Sequence, residues 1–249
     1  MDKLVYTAAT GLAARMAAQA AIANNMANAS TTGFRADLVN FDQLDVSGQG
    51  LDTRRPTSED VINADFKPGT VQQTGRPLDV SMDGQAWLAV QSADGTEAYT
   101  RRGDLQISAT GVLETGDGFP VMGSGGPITV PPADKIEIAS DGTLSIKPLG
   151  SAADAPMQKI DQLKLVSPVG AQTAKGLDNL LYVKGGGTLP QDLTAKVQSG
   201  ALEGSNVDMT QALVDMIENQ RAYEVQANLL KNAKDMDQGG ASVMSLQSS

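Results

Sequence analysis

The chain contains no histidine and no cysteine. Those absences remove Ser-His-Asp and Cys-His catalysis and ordinary zinc sites. They also remove any disulfide framework or redox thiol. Lack of cysteine is neutral on compartment, though it suits a protein that crosses an envelope unfolded. Aromatic residues make up only 4% of the chain, with one Trp, four Tyr and four Phe. A core must therefore rest on Val, Ile, Leu, Ala and Met. Basic clusters are missing as well. The net charge is −10 over 249 residues, whereas a nucleic-acid binder carries a basic face. Arg54-Arg55 and Arg101-Arg102 are isolated pairs and read as solvated turn residues. The acidity favours solubility.

Other tempting chemistry fails on spacing. Gly123-Ser124-Gly125-Gly126 and Gly185-Gly186-Gly187-Thr188 lack the lysine and the spacing of a phosphate cradle. The acids are spread one per turn rather than clustered as calcium ligands. No catalytic residue, cofactor or metal is expected. Asp83, Asp94, Asp117 and Asp141 are explained by their turns. A carboxylate pair acting as glycosidase acid and base stays open as an alternative. Arg102-Gly103-Asp104 spells an adhesion tripeptide, but three-residue matches arise by chance. Asn28-Ala29-Ser30 is a formal glycosylation sequon whose better reading is a polar junction at a helix end.

Long hydrophobic runs are also scarce. Lys3 precedes an apolar region and Ala18-Gln19-Ala20 imitates a cleavage site. Arg15 and Gln19 break that run, so a cleaved signal peptide is not expected. A membrane span is not expected either, because Arg15, Gln19, Asn24 and Asn25 would enter hydrocarbon.

Two long amphipathic stretches, at the two ends, are present instead. Val5, Ala9, Leu12, Met16, Gln19, Ala23 and Met26 recur at alternating steps of four and three. Met209, Leu213, Met216, Gln220, Tyr223, Ala227 and Leu230 repeat the rhythm, which is that of a heptad seam. Ser205 and Asp208 read as a capping box for the second helix, which then runs without Pro or Gly to Gly239. Alanine is the commonest residue of the first helix. It forms helix readily but buries little area per residue. Both helices are thus expected to be weakly ordered alone and to fold on partners.

Between them the pattern is β. Strands alternate with Asp83-Gly84, Asp94-Gly95, Asp117-Gly118 and Asp141-Gly142, the strongest short-range hairpin signal. Trp87 reads as an anchor of this β core. The expected architecture segregates α and β. An N-terminal helix (1–35) and a C-terminal helix (201–249) form a coiled-coil-like pair. An extended connector with some β-pairing (36–77) and a central all-β domain (78–200) lie between.

Two motifs point further. Ala23-Asn24-Asn25-Met26-Ala27-Asn28-Ala29-Ser30-Thr31-Thr32-Gly33-Phe34-Arg35 resembles the N-terminal signature of the flagellar rod and hook family. Gly200-Ala201-Leu202-Glu203-Gly204-Ser205-Asn206-Val207-Asp208 resembles its C-terminal signature, as do Met216-Ile217 and Gln220-Arg221-Ala222-Tyr223-Glu224. The middle, with Trp87-Leu88-Ala89-Val90-Gln91 and Gly126 to Pro131, is most similar to the proximal-rod branch. The resemblance implies a structural subunit of the basal-body rod, exported by the flagellar type III apparatus without a cleaved signal peptide. It would polymerise in the periplasm with copies of itself and other rod proteins, and would bind no nucleic acid. The assembly seam would comprise Val5, Leu12, Met16, Ala23, Met26, Met209, Leu213, Met216, Gln220, Tyr223 and Leu230. The motif residues would be Asn24, Asn25, Asn28, Thr32, Gly33, Phe34, Leu202, Glu203, Ser205, Asn206 and Val207. Gly33 would end the helix in a left-handed turn, Phe34 would anchor beyond it, Ser205 would cap, and Asn206 would bond backbone. Met26 stands where the family more often has leucine. A distal-rod member and a secreted β-rich adhesion module trimerised by its helices are the competing readings.

Overall fold

The computed structural model describes residues 2–43, 57–152 and 155–246. The turn reading at Arg54-Arg55 falls outside them. Among the described residues, two helices flank sixteen strands: α1 spans Asp2–Ala27 and α2 spans Met209–Leu246. The chain divides into two compact units. One contains Met1–Ala27, Asp37–Ile62 and Asp208–Ser249, and the other contains Asn28–Ala36 and Asn63–Val207. The connector expected over 36–77 is therefore shared between the units.

In the helical unit, α2 starts later than the expected 201, at Met209, and continues past the Pro- and Gly-free run that ends at Gly239. It passes through Gly239-Gly240 instead of stopping there. Each glycine costs about 1 kcal/mol in a helix. No proline follows, however, and Ala241, Met244 and Leu246 are good helix formers. The helix starts on Asp208, whose Oδ1 accepts the amides of Thr210 at 2.8 Å and Gln211 at 3.2 Å. Ser205 instead accepts the Val207 amide at 3.2 Å. The cap is therefore Asp208, because its carboxylate reaches the second and third helical amides. β1 (Asp37–Gln43) and β2 (Thr57–Ala64) form a two-stranded sheet.

The second unit is β-rich, with no closed barrel. Its centre is a five-stranded sheet in which β5 (Trp87–Gln91), β6 (Glu97–Thr100) and β14 (Leu181–Val183) lie between β12 (Leu165–Val166) and β13 (Thr173–Lys175). The sheet is buried on both faces. Leu88 and Val90 join one core with Leu113, Ile128, Leu144 and Leu165, while Trp87, Ala89 and Tyr99 join another with Val166 and Leu181. That split follows from the period of two along a strand. Trp87 is buried and packs edge to face on Phe66, with ring centroids 5.8 Å apart. β9 (Ala133–Ile138), β10 (Thr143–Pro148) and β11 (Gln158–Gln162) form an antiparallel meander. The Asp141-Gly142 turn between β9 and β10 uses φ +80° at Gly142, open to glycine at little cost. Three short pairings complete the unit: β7 (Leu105–Ile107) with β8 (Leu113–Thr115), β15 (Val197–Ser199) with β4 (Val80–Met82), and β16 (Ala201–Glu203) with β3 (Val71–Gln73). The last of these carries the C-terminal signature into the unit.

Candidate functional site

The two signatures meet in the β-rich unit, and Glu203 is where they join. β16 alternates inward and outward, so buried Ala201 places Glu203 inward as well. A buried carboxylate is costly unless it is paired and hydrogen-bonded. Here Oε1 accepts from Arg35 Nη2 at 2.6 Å and from the Gly69 amide at 2.7 Å. Oε2 accepts from Arg101 Nε at 2.8 Å and lies 2.6 Å from its Nη2. The Glu203 main-chain oxygen accepts the Gly33 amide at 2.7 Å.

Arg101 is thus not a solvated turn residue. Only 2% of its side chain is exposed, and its remaining donors bond the carbonyls of Met82, Gly84 and Ala86. Burial pulls this guanidinium below its usual pKa; Glu203 opposes that and Arg35 adds to it. Its neighbour Arg102 pairs with Asp104 and Asp117, each at 2.7 Å, so the arginine and aspartate of the adhesion-like tripeptide are bonded to each other.

Asn206 is the second junction. Its Oδ1 accepts the Ala36 amide at 2.7 Å, and its Nδ2 donates to the carbonyls of Asp65 and Lys67, both at 3.0 Å. Its own amide donates to the Phe34 carbonyl at 3.3 Å. Phe34 is buried, with Lys175 Nζ 3.7 Å above its ring; that ammonium also donates to the Arg35 carbonyl at 2.7 Å. Gly33 does have positive φ, at +67°. It does not end α1, which stops six residues earlier at Ala27. It closes a later turn, in which the Phe34 amide bonds the Thr31 carbonyl at 3.3 Å. A Cβ there would lie 2.4 Å from the Arg101 carbonyl group. Asn28 accepts from the Thr31 hydroxyl at 3.2 Å. Thr32, Leu202 and Val207 are half-buried.

In the helical unit, Asn24 and Asn25 fix the start of β1. Asn24 Nδ2 donates to the Asp37 carboxylate at 2.5 Å, and Asn25 exchanges two bonds with the Asp37 backbone, at 2.7 and 3.0 Å. The helices pair through small and polar residues. Ala14, Ala18 and Ala21 are buried on α1, and Ala212 and Asn219 on α2. Asn219 Nδ2 donates to the Arg15 carbonyl at 2.9 Å and to Gln19 Oε1 at 2.8 Å, while Gly11 faces Gln226. Rising numbers on α1 thus meet falling numbers on α2, and the pair is antiparallel.

The heptad residues lie mostly off this seam. Met16, Ala23, Met209, Leu213, Gln220 and Tyr223 are exposed, and Leu12, Met26, Met216 and Leu230 are half-buried. Val5 is outside the residues whose side chains are described. Val214, Ile217, Val225 and Leu229 are also exposed, at 44–61%. A groove of about 460 Å³ between the helices is lined by Met16, Gln19, Asn219, Tyr223 and Glu224 among others. Among the described residues, no His/Cys/Asp/Glu group could hold a metal and no helix is long and apolar enough to cross a membrane.

Sequence reading missed Arg35 and Arg101 as ligands of Glu203, and the alanine face as the pairing face. The buried Ala201–Glu203 alternation was the available signal for the first.

A chain whose terminal helices pair and leave a broad apolar face of α2 exposed is, by class, a structural assembly subunit. Family models agree along its length. The flagella basal body rod protein model matches residues 5–35, the flagellar hook protein FlgE/F/G D1 domain matches 81–146, and the flagellar basal body rod FlgEFG protein C-terminal model matches 198–243. The chain is 41% identical over 241 residues to the flagellar basal-body rod protein FlgF of Escherichia coli (strain K12), covering 94% of this chain and 95% of that one. It is 40% identical over 247 residues to FlgF of Salmonella typhimurium (strain LT2), covering 97% of each. To the rod protein FlgG of Bacillus subtilis (strain 168) it is 29% identical over 260 residues, covering 95% of this chain and 97% of that one. The chain belongs to the flagellar basal-body rod protein family, whose members are structural and not enzymatic, and within that family it is FlgF-like.

Proposed function

We propose that this chain is a structural subunit of the proximal part of the flagellar basal-body rod and that it assembles through the exposed faces of α1 and α2. The observation that carries this reading is the apolar strip Leu213, Val214, Ile217, Val225 and Leu229 on a helix whose inward face is already occupied by α1. An exposed apolar patch of this kind marks an interaction surface. Neighbours would be other rod components and further copies of the chain, and their added helices would make the contacts coiled-coil-like. The internal helix pair is weak on its own. Its four buried alanines contribute only about 3 kcal/mol at roughly 0.8 kcal/mol per buried carbon. Binding of a neighbour would consolidate it and so confine growth to the tip of the structure. Transit through the flagellar type III export apparatus, as a chain with weakly held ends, and a final place in the periplasmic rod belong to the same proposal.

The test is Leu213→Asp. Its side chain is 46% exposed, so the monomer should keep its melting temperature. The strain carrying it should lose motility and build short rods. Normal swimming with normal rods would remove the α2 face from the assembly.

A further inference from the structure

The Glu203 cluster is unequal. Arg101 spends its guanidinium donors on Glu203 and on three backbone carbonyls. Arg35 gives only Nη2 to Glu203; its Nε and Nη1 are buried and reach no hydrogen-bond partner among the described residues. Two guanidiniums therefore share one carboxylate, and a third cation, Lys175, is bonded to the Arg35 carbonyl. Buried donors without acceptors and like charges in one cluster favour whatever state lets water in.

We propose that Arg35 makes the turn of residues 31–36 a separately opening latch on the β-rich unit: the turn undocks while the Arg101–Glu203 pair stays in place. Phe34 burial and the Lys175 contact keep the latch shut most of the time. Arg35 offsets part of that hold, because opening hydrates its two unpartnered N–H groups and moves its charge away from Arg101. The Gly33 and Ala36 amides, which bond the Glu203 carbonyl and the Asn206 side chain, report the latch directly. The Ala89 amide, bonded to the Lys164 carbonyl inside the five-stranded sheet, reports the body of the unit.

This behaviour belongs to the single chain and needs no assembly, so its failure would leave the assembly reading untouched. The experiment is residue-resolved hydrogen exchange and thermal melting on the full chain. In the wild type, Gly33 and Ala36 should exchange at least ~10-fold faster than Ala89 through local opening. Arg35→Met removes the charge and the unpartnered donors while keeping the stem. It should slow exchange at Gly33 and Ala36 and leave the melting temperature unchanged or raised. Glu203→Gln, which leaves two buried guanidiniums without a counter-charge, should lower the melting temperature by roughly 10 °C. Equal protection of Gly33, Ala36 and Ala89 in the wild type would overturn the latch. So would an Arg35→Met protein that exchanges faster at Gly33 and Ala36 and melts lower. Both of these decisive measurements stand even where Glu203→Gln does not fold.

Discussion

The Ala36 amide is held by the Asn206 side chain at 2.7 Å, across 170 residues of sequence. The same amide group of Asn206 also donates to two carbonyls. Asn206→Ala removes all three bonds and should cost about 2–3 kcal/mol, at roughly 1 kcal/mol each. Asn206→Asp keeps the acceptor but turns an oxygen toward the carbonyls of Asp65 and Lys67. It should melt at or below the alanine variant. Thermal melting of the two purified variants checks the order.

Gly33 and Gly75 offer a matched comparison. Both have positive φ, +67° and +72°, but a Cβ on Gly33 meets the Arg101 backbone at 2.4 Å whereas one on Gly75 meets nothing within 4 Å. Gly75→Ala should cost only the left-handed strain, about 1 kcal/mol. Gly33→Ala carries that strain plus a backbone clash and should cost at least about twice as much. Denaturant midpoints of the two variants would show it; equal costs would mean the turn does not sit on Arg101 in solution.

The helix pair carries a buried amide. Asn219 bonds α1 at Arg15 and Gln19, and a buried asparagine fixes helix register at some expense in stability. Asn219→Leu should raise helix melting while loosening alignment. Because the chain has no native cysteine, a Gly11→Cys, Gln226→Cys pair with a short thiol cross-linker measures this cleanly. Cross-linking should be efficient beside Asn219 and at least ~3-fold poorer beside leucine.

Acid should loosen the join between β11 and the loop at Ser124. Burial alone raises the pKa of Asp161. The amides of Gln162 and Ser124 and the Ser124 hydroxyl, at 2.7, 3.3 and 2.8 Å, outweigh that and hold it below the usual carboxylate value. A depressed folded pKa adds stability above the unfolded value of about 3.9, lost as the pH falls through the folded value. Ser124→Ala should move the Asp161 titration upward by NMR and shrink this contribution, so the variant's deficit in stability should be full above pH about 4 and fade as the pH falls below it.

How much of this was legible in the sequence depends on range. Both helices, the hairpin turns and the Trp87 core follow from local periodicity and turn chemistry. So does the positive φ at Gly33. What local pattern cannot supply is a partner far along the chain. Arg101 looked solvated beside Arg102 because only the fold brings Glu203 to it. The heptad spacing marked Met16 and Leu213 for an assembly seam and said nothing of which residues the chain's own helix pair uses. Within the chain, close helix approach selected Ala14, Ala18 and Ala21, and Met16 and Leu213 face outward. Asp208 displaced Ser205 as the cap because both are good capping residues only three positions apart, and only backbone geometry chooses between them.

Glu203 lies late in the chain, and the two arginines it neutralises come at positions 35 and 101. A polypeptide cut short anywhere before it leaves both guanidiniums without a counter-charge, so the unit should be less stable in a chain that stops short of residue 203. Full stability of the unit thus waits for the last of these three charges to arrive.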